Sequence, residues 1–226
     1  MRIVVASNHS WYEDIVNKLS TNNNYEVYWI KDRKDLTLEH LRTINPAYIF
    51  FPHWSYTILP DIYENFESII FHMTDVPFGR GGSPLQNLIS RGIYETKITA
   101  LRCEKELDAG PVYLKKTLSL YGNAEEIYMR SAEIIKDMII LILKDRPKPL
   151  PQEGEVSYFF RRKPEDGSLR NLSKLEQVYD FIRMLDAENY PKAFIETDYF
   201  YFEFERASLK NDYIHADVKI KKKEGN

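Results

Sequence analysis

Short β-branched and aromatic runs alternate with helical patterns through the first half of this chain, and that alternation limits the fold more than any other feature. RIVVA at 2–6, YEVYWIK at 25–31, the run at 47–51 and the apolar run that ends on His72 each read as a strand. Helices are expected between them: one opened by Ser10 and Glu13 in a capping-box pattern, one near 36–44, and a short one at 59–66. Strands separated by helices cannot pair as hairpins, so they build a parallel sheet with crossovers. The fold class expected is α/β, a doubly wound Rossmann-like parallel-rich sheet. A small C-terminal α+β extension is expected after it.

The stretch IIFHMTDVPFGRGGSPLQNLIS, residues 69–90, carries the chemistry. The buried run breaks at His72 into a loop with Pro77, Gly79, Arg80, Gly81 and Gly82, and Pro84 then opens a helix. In an open parallel sheet, ligands bind outside the carboxyl ends of the strands. A histidine at that point is held by its strand and still faces the crevice. Residues 106–110, ELDAG, follow the strand-like ITALRC, and 108 − 72 = 36 residues leave room for one helix and one strand between the two. That spacing brings Asp108 within reach of His72, where a carboxylate would orient an imidazole. The plainer alternatives are a structural histidine and a turn aspartate.

The remainder sets bounds. Net charge is −3 over 226 residues, which gives no support to broad nucleic-acid binding. Cys103 is the single cysteine, so there is no internal disulfide framework and no cysteine-rich zinc site. The N-terminus MRIVVASNHS lacks a cleavage pattern, and no run approaches the about 18 apolar residues of a membrane span. The expected compartment is the cytoplasm. Asn123 and Glu126 start a long helix, and the prolines of 146–155 forbid helix there and make a linker. The domains expected are 1–145 for catalysis, 146–155 as link and 156–226 as a small C-terminal subdomain. Strands are expected near 156–163, 197–206 and 213–220, a helix at 172–185, and a frayed tail at 221–226.

On His72, Pro77, Arg80, Gly81, Pro84 and Gln86, followed by Leu107, Asp108 and Gly110, the chain resembles the formyltransferases that use 10-formyltetrahydrofolate. That family carries N-x-H, then L-P-x-x-R-G-x-x-P-x-Q, then L-D-x-G. The resemblance implies an enzyme with 10-formyltetrahydrofolate as co-substrate and no metal. It implies that His72 manages the proton and the oxyanion and that Asp108 holds His72. Met73, Thr74, Pro77 and Leu107 would line the pterin site. Arg80, Gly81 and Gly82 would meet the acceptor; the alternative for the glycines is a loop with special backbone angles. Asn8 and His9 follow the first strand and are candidates for an acceptor phosphate, or else a plain turn. One position departs: Ile70 stands where the family has its catalytic Asn, so His72 serves alone or another donor replaces it, for which the PHWS stretch offers His53 and Ser55.

Within the family, the wording of 71–89 is most similar to nucleotide-sugar N-formyltransferases of the UDP-4-amino-sugar, pseudaminic-acid type. The expected partner is therefore a nucleotide-linked amino-sugar, with no nucleic acid and no membrane, and with the C-terminal β segment available for homodimerisation. Two rivals stand beside it. One is formyl transfer to methionyl-tRNA, disfavoured by the short C-terminal part and the negative charge. The other is a folate or nucleotide sensor without chemistry.

Overall fold

The computed structural model describes residues 1–22 and 24–223. In chain order its elements are β1 (Arg2–Ala6), α1 (Glu13–Ser20), β2 (Glu26–Ile30), α2 (Leu38–Ile44), β3 (Tyr48–Pro52), α3 (Pro60–Tyr63), β4 (Ser68–His72), β5 (Arg80–Gly81) and α4 (Pro84–Ile89). There follow β6 (Glu95–Arg102), β7 (Val112–Ser119), α5 (Ala124–Asp145), β8 (Tyr158–Phe159), α6 (Leu175–Arg183), β9 (Ala193–Glu196), β10 (Phe200–Leu209) and β11 (Ile214–Lys222).

Six strands form one sheet in the order β2-β1-β3-β4-β6-β7. β1 lies parallel to β2 and β3, β3 lies parallel to β4, and β6 runs antiparallel to β4. The expected α/β, parallel-rich architecture is the observed one. Ile3, Val4, Val5 and Ala6 of β1 are all fully buried, the behaviour of a central parallel strand covered on both faces. One face packs Val4, Ala6, Ile49 and Phe51 against Leu41 and Ile44 of α2 and Ile62 of α3.

Local chemistry fixes the helix ends. The Thr37 hydroxyl accepts from the His40 amide at 3.2 Å, and Asn45 closes α2 in the left-handed region at φ 50°. Asn123 and Glu126 cap each other's amides at 2.9 Å, so α5 starts where the sequence places it. Ser10 does not cap α1. Residues Ser10–Tyr12 form a 3-10 turn, and Tyr12 is buried with its hydroxyl 2.6 Å from His53 Nδ1. Met129 of α5 is exposed, while Ile135, Met138, Ile139 and Ile142 are buried.

The chain forms two compact units. One comprises Met1–Gly81, Lys97–Leu118 and Met129–Tyr158; the other comprises Gly82–Thr96, Ser119–Tyr128 and the residues from Phe159 onward. The second contains an antiparallel sheet in the order β11-β10-β9, with α6 packed on β10. Its aromatic content is used in packing: Phe194 stacks on Tyr201 with centroids 4.6 Å apart. The buried Arg183 donates to Asp180 at 2.7 Å and to the Leu120 and Gly122 carbonyls at 2.6 and 2.9 Å. The strand expected near 156–163 is only the two residues of β8, and β9 has no counterpart in the sequence expectation. β11 reaches Lys222, so the expected fray does not begin at 221, and residues 224–226 of that tail lie outside the described residues.

Candidate active site

His72 closes β4 opposite Thr99 of β6 and is 7% exposed. The chain then turns inward. Thr74 is fully buried, and its carbonyl accepts from the Thr99 hydroxyl at 2.7 Å. Asp75 is held by Lys97 at 2.8 Å and Lys115 at 2.5 Å. This pinning brings the Gly79 carbonyl 2.8 Å from His72 Nε2. A carbonyl only accepts, so Nε2 carries a hydrogen. His72 Nδ1 lies 3.5 Å from Asp108 Oδ2. With Nε2 protonated, only a second proton on Nδ1 lets the ring donate to that carboxylate.

Asp108 sits in the turn between β6 and β7 in the left-handed region, at φ 54°. Such a backbone at a non-glycine residue costs on the order of 1 kcal/mol and needs support from its surroundings. Its Oδ2 accepts from the Gly81 amide at 2.9 Å, and its carbonyl accepts from Gln152 Nε2 at 2.8 Å. Gly110 ends the turn with its Cα against the Arg102 backbone. A Cβ there would overlap the Arg102 carbonyl oxygen and lie 3.0 Å from its carbon.

The other expected site residues are placed as follows. Arg80 is 8% exposed, and its guanidinium donates to Gln152 Oε1 at 3.2 and 2.9 Å and to Glu106 at 3.1 Å. Its charge is thus already partnered. Gly82 donates to the Phe159 carbonyl at 3.0 Å, and a Cβ on it would lie 2.7 Å from Arg161 Cα, so close backbone approach explains that glycine. Gln86 is buried and donates to the Tyr128 hydroxyl at 3.0 Å and the Met184 carbonyl at 3.2 Å. Met73 is buried with its sulfur 3.0 Å from His53 Nε2. Pro77 accepts at its carbonyl from the Ser157 amide at 3.1 Å, while Leu107 is 65% exposed. Asn8 is exposed, and the His9 ring stacks on Trp11 at 4.3 Å.

His53 is set between Tyr12 and Met73 rather than toward an open donor position. With the Tyr12 hydroxyl on Nδ1, its Nε2 hydrogen is directed at the Met73 sulfur. Burial first, and repulsion from His9 second, lower its pKa to about 3, so the ring is neutral at ordinary pH. Ile70 shares the His72 face of β4, pairs with Phe51 and Leu101, and packs on the apolar cluster. Gln152, Ser157 and the Gly79 carbonyl were not expected from the sequence. Gln152 lies in the proline-rich link, and backbone partners carry no residue signature.

Among the described residues no group of three or more His, Cys, Asp or Glu side chains is placed to hold a metal, and no helix is long and apolar enough to cross a membrane.

Comparison with known proteins places this geometry. Residues 164–221 match the family described as methionyl-tRNA formyltransferase, C-terminal domain. A solved structure titled methionyl-tRNA formyltransferase from Clostridium thermocellum shares 49% identity with a TM-score of 0.96, covering 99% of this chain and 100% of that one. A methionyl-tRNA formyltransferase from Thermodesulfovibrio yellowstonii is 25% identical over 161 residues, which are 68% of this chain and 52% of the relative. The chain thus spans about half the length of the curated relatives it matches. A solved structure described as a likely sugar N-formyltransferase from Mycobacterium tuberculosis shares the fold, with a TM-score of 0.70, 12% identity, and coverage of 87% and 92% of the two chains.

These findings overturn two expectations. The nucleotide-sugar acceptor does not stand against a relative at 49% identity, matched over 99% of this chain, that bears the tRNA enzyme's name. The expected partner set, an amino-sugar nucleotide without nucleic acid, falls with it. Both objections to the tRNA reading were weak physically. The C-terminal part present here is matched in a relative titled as the tRNA enzyme, and a net charge is a sum that hides local clusters such as Lys219, Lys221, Lys222 and Lys223. The chain belongs to the methionyl-tRNA formyltransferase family.

Proposed function

We propose that this chain transfers a formyl group from 10-formyltetrahydrofolate to the α-amine of methionyl-tRNA. The observation that carries the reading is the 49% identical relative matched over 99% of the chain. The His72–Asp108 pair at a strand's carboxyl end supports it from the chemical side.

In the step, the amine nitrogen bonds to the formyl carbon, the bond to the folate nitrogen breaks, and the amine's proton is passed to that leaving nitrogen. With its Nδ1 hydrogen directed at Asp108, His72 takes the amine's proton at Nε2, steadies the oxyanion as the imidazolium so formed, and hands that proton to the leaving nitrogen. The substrate takes the place of the Gly79 carbonyl at Nε2. Asp108 orients the ring through Nδ1. Ile70 offers no hydrogen, so the oxyanion depends on the imidazolium more heavily than where an asparagine stands two residues earlier. Met73, Thr74, Pro77 and Leu107 remain the proposed folate wall, and Asn8, His9 and the 80–82 backbone the proposed acceptor contacts. The chemistry is assigned to 1–145, with 146–155 as the link and 156–226 as the small C-terminal subdomain. The family match at 164–221 supports the latter assignment. A tRNA acceptor accords with a cytoplasmic location.

The test is incubation of the purified chain with 10-formyltetrahydrofolate and methionyl-initiator tRNA, with deacylated tRNA and free methionine as controls. Formylmethionine recovered only from the charged tRNA is the expected result. No formylmethionine from any of them, with the donor bound, would favour a folate sensor and overturn the proposal.

A further inference from the structure

The carboxamide of Gln152 is saturated by one small ring of contacts. Its nitrogen donates one hydrogen to the Asp108 carbonyl and the other to the Gly110 carbonyl, both at 2.8 Å. Its oxygen accepts Arg80 Nε at 3.2 Å and Nη2 at 2.9 Å. The partners fix which end is which. Turned over, the amide would set an oxygen against two carbonyls and an NH2 against a guanidinium. No other residue type of this size offers two donors on one side and an acceptor for a guanidinium fork on the other.

The ring closes through Asp108 itself. Arg80 is joined by its peptide bond to Gly81, whose amide donates to Asp108 Oδ2 at 2.9 Å. Gln152 therefore grips the left-handed turn by its backbone on one side and the loop that holds the carboxylate on the other. Asp108 Oδ2, so held, is the atom 3.5 Å from His72 Nδ1. Glu106 also pairs with Arg80, but it is an exposed residue reaching one guanidinium nitrogen and touches neither carbonyl.

We infer that Gln152 is a positioning residue for formyl transfer, setting the Asp108 carboxylate against His72. This rests on the catalytic reading of His72 and Asp108 above. A displacement of about 1 Å in such a pair costs up to about 100-fold in rate. A change that keeps the Arg80 contact, and with it the 80–82 backbone, while disturbing the Asp108 turn therefore acts on turnover before substrate binding.

The test is a double-mutant cycle of Gln152→Glu and Asp108→Asn in the full chain, with kcat and both KM values measured for methionyl-tRNA and donor. Gln152→Glu keeps the side chain's shape and strengthens the Arg80 contact, but it presents a carboxylate to two carbonyls. Expected is a 10- to 100-fold fall in kcat with both KM values within about twofold. Added to Asp108→Asn, the change should cost less than threefold more. If Gln152→Glu melts below the assay temperature, Gln152→Asn, one methylene short, is run through the same cycle below its own midpoint. Turnover within twofold of the parent for Gln152→Glu, or full additivity with Asp108→Asn, would overturn the inference while Asp108→Asn still loses activity. Should Asp108→Asn itself turn over at the parental rate, the catalytic reading is what fails, and this inference with it.

Discussion

Replacing Gly110 by alanine tests how tightly the Asp108 turn is built. The added Cβ would overlap the Arg102 carbonyl oxygen and lie 3.0 Å from the Arg102 carbonyl carbon. Both are backbone atoms of β6, so no side-chain rotation relieves the overlap. Strand and turn must separate, which strains the Arg102 amide bond to the Pro111 carbonyl at 2.9 Å. Overpacking of this kind costs about 3 kcal/mol. For a chain of this size that corresponds to a fall in melting temperature of roughly 6–12 °C. Gly92→Ala is the control, because its Cβ meets nothing within 4 Å and only its φ of +70° is strained. That strain costs about 1 kcal/mol, or roughly 2–4 °C. Calorimetric or fluorescence melts of the two variants beside the parent read the difference. Equal losses for both, or no loss at Gly110, would show that the approach of turn to strand is looser than these contacts require.

Burial keeps His53 neutral, with its pKa lowered to about 3. The unfolded chain titrates this group near 6.5, so it binds the proton first and stability falls as pH drops from 6.5 toward 3. Between pH 6.5 and 5 the loss is at most about 2 kcal/mol, since the ring keeps partial solvent contact. Urea titrations at the two values should show a shallower dependence for His53→Gln, and an unchanged slope would contradict the assignment. Burial also pushes the Cys103 thiol up to about 12, leaving roughly one molecule in ten thousand as thiolate at pH 8. Iodoacetamide should therefore leave the native chain unlabelled while labelling it readily in urea. Arg80→Lys should lower transfer and stability together, because an ammonium cannot span the Gln152 and Glu106 contacts of the planar fork. An unchanged melt with unchanged turnover would remove Arg80 from the framework.

The parts that local chemistry determines were legible in the sequence. Unbroken β-branched runs give the buried strands, Asn123 with Glu126 gives the start of α5, and His72 falls at a strand end because the apolar run stops there. Asp108 was legible because a D-x-G turn is a short-range pattern. Ser10 misled because the 3-10 turn lies beside a long-range contact, Tyr12 to His53, that no local pattern records. The framework contacts of Arg80 were hidden because its partners lie 26 and 72 residues away. Gln152 was hidden for the same reason, in a stretch whose prolines say only that it is not a helix. The acceptor depended on global quantities, net charge and C-terminal length, and neither reports which surface meets a substrate.

The most direct measurement is the single-turnover rate of formyl transfer to methionyl-tRNA by the parent chain and by Asp108→Asn, at saturating donor. Loss of the carboxylate beside His72 Nδ1 should slow the chemical step by at least about 100-fold with the donor still bound. Transfer by Asp108→Asn at the parental rate would contradict the role given to this pair.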